Sequence, residues 1–95
     1  MARKRIELNF NDTEDFHFKS YLRGYLIEIE GGKYLIVNDD LAIRASGKTP
    51  KEAAENIKEQ FMILANEIVY KSKYAALSER ERKKFNIIQS ICDII

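Results

Sequence analysis

LAIRASGKTPKEAAENIKEQFMIL, residues 41–64, decides the fold: it reads as a short strand, a glycine turn and a capped amphipathic helix. Leu41, Ile43 and Ala45 alternate with Ala42, Arg44 and Ser46, the two-residue period of a half-buried strand. Gly47 gives the backbone freedom to turn out of the sheet. Thr49 is placed to cap the orphan amides of a helix, and Pro50 falls at the first helical position, where its missing N–H costs nothing. Glu52, three residues after Thr49, completes a T-x-x-E capping box and sets negative charge at the positive end of the helix dipole. Ala53, Ala54, Ile57, Phe61, Leu64 and Ile68 then recur at three- and four-residue steps, so one stripe faces the sheet. Lys51, Glu55, Lys58 and Glu59 point to water. The pattern predicts a helix to about Tyr70.

Upstream, Ile6, Leu8 and Phe10 alternate with Glu7 and Asn9, a first strand, and NDTED (11–15) is a polar break. Phe16–Lys19 is ambiguous and could begin or precede the next strand. Leu22–Glu30 is the clearest strand, with Tyr25, Ile27 and Ile29 on one face and Leu26, Glu28 and Glu30 on the other. Gly31-Gly32 reads as a two-residue hairpin turn requiring positive φ. The return strand, KYLIVN (33–38), is apolar on both sides, which suits a central strand buried on two faces. Asp39-Asp40 make the next tight turn. Downstream, KSKYAAL (71–77) reads as a polar joint. Ser78 and Glu81 form a second capping box opening a helix over about 79–94, with Phe85, Ile88, Ile91 or Cys92, and Ile95 as its stripe. The order β-β-β-β-α-α makes an α+β domain, a three- to four-stranded antiparallel sheet packed against two helices.

Ninety-five residues form a single domain, 1–95, with one core. The formal net charge is +1, with eight basic and eight acidic side chains in residues 1–49 and eight and seven in residues 50–95. Global attraction to nucleic acid or an anionic membrane is thereby excluded, and any charge-driven function must be a local patch. The single cysteine, Cys92, rules out an intrachain disulfide and a cysteine-based zinc site. No stretch approaches the roughly 18 apolar residues of a membrane span. MARKRIELNF lacks the apolar run of a signal peptide, so a cytoplasmic setting without membrane contact is the expectation.

Where strand, glycine turn and helix meet, the chain resembles the HicB family of small antitoxin-like proteins. The resemblance rests on Ile43-Arg44-Ala45-Ser46-Gly47-Lys48-Thr49 followed by Glu52-Ala53-Ala54-Glu55-Asn56-Ile57, with the hairpin Gly24–Val37 upstream. It covers roughly residues 20–70. The Pro/Gly turn usual in that family before the third strand is here Asn38-Asp39-Asp40-Leu41. The family's full antitoxins append a DNA-binding module, and residues 71–95 hold one helix, so the resemblance implies a short form without it. It also implies a partial ribonuclease H-like fold and an antitoxin-like role, in which the domain occludes a small toxin.

That fold makes a two-metal nuclease the first chemistry to weigh. Glu28, Glu30, Asp39 and Asp40 would have to converge, but they read as solvent-face and turn residues. His17, between Phe16 and Phe18, has no orienting partner nearby in sequence. Cys92 lies on an apolar stripe and reads as a buried, inert thiol. No catalytic residue, cofactor or metal site is therefore expected. Tyrosine is the amphipathic anchor available in a chain without tryptophan. The density of Ile87, Ile88, Ile91, Ile94 and Ile95 exceeds what one helix on a small sheet buries. The expectation is a protein-binding, self-associating module, a homodimer, with Tyr70, Tyr74, Ile87, Ile91, Ile94 and Ile95 on its partner surface. The second reading is nucleic-acid binding through Lys71, Lys73, Arg80, Lys83 and Lys84, a cluster diluted by Glu79 and Glu81.

Overall fold

The computed structural model describes residues 3–95. Eight elements follow one another: β1 (Lys4–Leu8), β2 (Phe16–Phe18), β3 (Leu22–Ile29), β4 (Lys33–Asn38), β5 (Ile43–Gly47), α1 (Pro50–Tyr74), α2 (Glu79–Ile91) and β6 (Cys92–Ile94). The fold is α+β. One antiparallel sheet has the order β1-β3-β4-β5, and a second, two-stranded sheet pairs β2 with β6.

The register of the central hairpin decides which side chains share a face. Tyr25 pairs with Val37, Ile27 with Leu35 and Ile29 with Lys33, so Glu30, Gly31 and Gly32 form a three-residue loop rather than the expected two-residue turn. Gly31 and Gly32 sit at φ 84° and 70°, a conformation glycine adopts without strain. A slip of one residue would send Leu35 and Val37 to the opposite face.

The inner face carries Leu8, Leu22, Gly24, Leu26, Ile36 and Ala45, and α1 lies on it. Ala53, Ile57, Phe61, Ala65 and Ile68 of α1 are buried in one core cluster that joins this face to Phe16, Ile88, Ile91 and Cys92. The strand before α1 begins at Ile43 rather than Leu41. Leu41 is nonetheless fully buried in the turn, held there by Asn38, whose Oδ1 accepts from Leu41 N at 2.8 Å. The Asn38 amide also donates to the Arg23 carbonyl at 2.7 Å, so one buried side chain ties β3, β4 and the turn together.

Gly47 is not in the left-handed region. A Cβ there would stand 2.5 Å from Ala53 N and 2.9 Å from Glu52 C, so this position needs space rather than backbone freedom. Thr49 caps as expected, its Oγ1 accepting from Glu52 N at 3.1 Å. The Glu52 carboxylate reaches Lys48 N at 3.4 Å, so the reciprocal half of that box is displaced by one residue. The second box is complete: Ser78 Oγ accepts from Glu81 N at 3.2 Å, and Glu81 Oε1 accepts from Ser78 N at 3.0 Å.

Two helix boundaries also differ from the sequence expectation. The first helix continues to Tyr74, because Lys71–Tyr74 contains no breaker and Lys71 and Lys73 complement the negative end of the dipole. The second helix stops at Ile91 instead of reaching 94. Cys92–Ile94 turn into a strand against Phe16–Phe18, which settles that ambiguous segment as a strand too. The β-branched residues at this end favour the pleated conformation. Ile88, Ile91 and Cys92 are buried in the chain's own core.

Candidate functional site

The helix-covered face leaves the other side of the four-stranded sheet open. Tyr25, Ile27 and Ile29 of β3 stand there beside Leu35 and Val37 of β4, all half-buried, and none belongs to the core cluster. The expectation that β4 is buried on both faces does not hold; only its Ile36 and Asn38 side is. One register row crosses all four strands as Arg5, Tyr25, Val37 and Arg44. The aliphatic strip is thus flanked by a guanidinium on each edge strand. Glu7 opposes Arg23 in the next row.

Two further arginines are held beside tyrosine rings. Arg3 lies 5.6 Å from the Tyr25 ring centroid and 3.9 Å from the Asp39 carboxylate, while Arg23 lies 6.0 Å from the Tyr21 ring centroid. One end of the face opens into a groove of about 870 Å³ lined by Arg5, Glu7, Tyr21, Arg23, Tyr25 and the Asp39-Asp40 turn, among others. Both the strip and the groove escaped sequence reasoning. The signal was present: β4 is apolar on both faces, and β3 sets Tyr25, Ile27 and Ile29 on the side opposite Leu22 and Leu26, more than helices on one side of the sheet can cover.

The residues singled out from sequence fall in two places. Tyr70 and Tyr74, one turn apart on α1, are 68% and 73% exposed, with ring centroids 4.8 Å apart. Ile94 and Ile95 join them around a small groove of about 220 Å³ that also includes Lys73. Ile95 is exposed there, whereas Ile87 is half-buried against the core and Ile91 is buried. The surplus of apolar side chains assigned to a longer last helix is thereby largely absorbed within the chain.

In the basic segment, Lys71 Nζ bonds Glu81 at 2.6 Å and Lys83 lies 3.9 Å from Glu79. Lys73 and Arg80 are exposed, and Lys84 is half-buried. The Lys71 ammonium, followed by the amide and hydroxyl of Ser78, pulls the Glu81 carboxyl down from 4.5 to about 2. The Lys71–Glu81 pair staples the end of α1 to the start of α2, while Lys83–Glu79 lies within α2.

Contrary to the sequence expectation, His17 does have a partner nearby in the chain, Asp12 five residues earlier: its Nδ1 is 2.7 Å from Asp12 Oδ2, and Asp12 Oδ1 accepts from Phe18 N at 2.8 Å. That backbone bond first, and His17 second, lower the Asp12 pKa. The pair is exposed and fixes the loop before β2. Among the described residues, no group of three or more His, Cys, Asp and Glu side chains is arranged to hold a metal. None of the described helices is long and apolar enough to cross a membrane. Comparison with protein-family models, curated proteins and solved structures finds no match to this chain.

Proposed function

We propose that this protein is a non-enzymatic protein-interaction module, antitoxin-like in the sense that its resemblance to the HicB family implies, acting by occupying the surface of a partner protein. The observation that supports the reading is the open sheet face, where five apolar side chains stay half-buried between arginines on the two edge strands. A contiguous apolar surface rimmed by charge is what an interaction site presents before it is covered. Self-association belongs to the same proposal and is assigned to Tyr70, Tyr74, Ile94 and Ile95.

Nucleic-acid binding through Lys71, Lys73, Arg80, Lys83 and Lys84 is supported less well, because Glu81 and Glu79 engage two of those lysines. The test is affinity capture from the native host, followed by reconstitution of the complex from purified components. A small protein recovered in stoichiometric amount and rebinding in purified form is the expected result. Recovery of RNA or DNA alone, released by moderate salt, would replace this reading with the second one.

A further inference from the structure

We infer that the open sheet face seats an amphipathic helix of the partner protein, apolar on its inner stripe and acidic along both flanks. This rests on the protein-binding reading and names the chemistry of what binds. The dimensions come first. Arg5 and Arg44 stand on the two edge strands of a four-stranded sheet, three strand spacings apart, roughly 14 Å. A helix with side chains is roughly 10–12 Å across, so it fits between the guanidinium groups along the β3–β4 strip. Tyr25 to Ile29 covers about 13 Å of strand, the length of about nine helical residues. On the opposite face the same sheet already accepts a helix, α1, through the alternate residues of the same strands.

Charge then selects among occupants. On the strands of this face Arg5, Arg23, Lys33 and Arg44 are opposed only by Glu7. Asp39 and Asp40 lie beyond the end of β4, and Asp39 is engaged by Arg3. A second copy laid face to face would set like charges together, whereas Asp and Glu on the flanks of a helix would meet Arg5 on one side and Arg44 on the other. Single-stranded RNA would also satisfy the arginines, but it draws on stacked aromatic platforms. Here four of the five strip residues are aliphatic, and Tyr25 already lies beneath Arg3. Aliphatic surface matches the Leu and Ile stripe of a helix docked in a groove.

The experiment is selection of phage-displayed helices of about 16 residues, with fixed Leu and Ile on one stripe and Asp, Glu, Lys, Gln or Ser randomised on the flanks. The target is the full chain. Asp and Glu should be enriched on both flanks, and the selected peptide should lose about tenfold or more in affinity on Val37→Glu, since each tenfold is a modest 1.4 kcal/mol. Leu35→Ser, the milder variant, should weaken it in the same direction with the circular dichroism unchanged. The double variant Arg5→Glu/Arg44→Glu should reverse the preference to Lys flanks.

Flanks without acidic bias, or binding unaffected by Val37→Glu and Leu35→Ser, would overturn the inference. So would a uridine oligonucleotide that binds in a Val37-dependent manner, or a dimer that Val37→Glu dissolves. The two levels separate through the native partner. Capture by wild type and Val37→Glu alike defeats the helix seat and leaves protein binding standing; capture of no protein defeats the broader reading itself.

Discussion

Replacing Gly47 with alanine should be among the most damaging single-methyl additions to this fold. The new Cβ would lie 2.5 Å from Ala53 N, 2.9 Å from Glu52 C and 2.9 Å from Glu52 Cβ. Two of those three atoms are backbone in the first turn of α1, whose amides are already committed, so no side-chain rotation relieves the contact. The helix start must lift off β5, disturbing the Thr49 cap and the buried Ala53 together. Overpacking usually costs 1–3 kcal/mol, and a backbone obstacle places this site at the upper end, about 3 kcal/mol. For a domain of this size that lowers Tm by about 12–24 °C.

Gly24→Ala is the internal control. Its Cβ would meet a side-chain methyl, Ile36 Cγ2, at 3.1 Å and Val37 O at 3.3 Å, so a smaller loss is expected, about 1 kcal/mol. Urea unfolding followed by circular dichroism reads both. Gly47→Asn distinguishes the cause: asparagine tolerates positive φ and would rescue a conformational requirement, but it adds bulk and should be worse than alanine. A Gly47→Ala loss below about 1 kcal/mol, or rescue by asparagine, refutes the close-packing explanation.

Three further outcomes follow from the same geometry. Asn38→Leu removes the partners of Leu41 N and the Arg23 carbonyl at a buried site, and should lower unfolding free energy by about 2–4 kcal/mol in urea titrations. Glu81 titrates at about 2 when folded against 4.5 ordinarily, so its stabilisation is full above pH 4.5 and lost as pH falls through 2; calorimetry should show the Tm gap between wild type and Glu81→Gln closing across that window. Burial, with Asp93 adding, pushes the Cys92 thiol up to about 11, so thiol labelling at pH 8 should proceed only at the rate of unfolding, and fast labelling of the native protein would contradict the packing of β6.

Local chemistry made most of the fold legible. Thr49, Pro50 and Ser78 announce helix starts because capping is a short-range transaction between a side chain and amides two or three residues on. The strand periods of Leu22–Glu30 and Lys33–Asn38 are equally local. What sequence could not supply depended on distant pairing. The fate of Cys92–Ile94 is decided by Phe16–Phe18, more than seventy residues earlier in the chain, and an apolar run of Ile and Cys suits a helix stripe or a strand equally until its partner is known. Loop length was the other hidden variable: one extra residue at Glu30-Gly31-Gly32 fixes the register that gathers Leu35 and Val37 with Tyr25, Ile27 and Ile29. The candidate surface was therefore present in the sequence as composition and absent from it as a face.

That surface also bears on why the sheet is built as it is. A two-layer domain needs apolar residues on one side of each strand only, and β1 and β5 comply: their outer positions are Arg5, Glu7, Arg44 and Ser46. The central pair does not. Were the outer positions of β3 and β4 serving only to keep a soluble sheet apart from others, Lys, Glu and Thr would serve there at little cost, since these side chains touch no core residue. Retaining Ile27, Ile29, Leu35 and Val37 in the middle of the open face, with arginines on the edges, instead leaves apolar area unburied in the isolated chain. On the protein-binding reading proposed above, its burial free energy is released on association rather than on folding. An apolar centre within a charged rim matches the arrangement of an interface core, and the occupant proposed here would bring both a matching stripe and opposite charge.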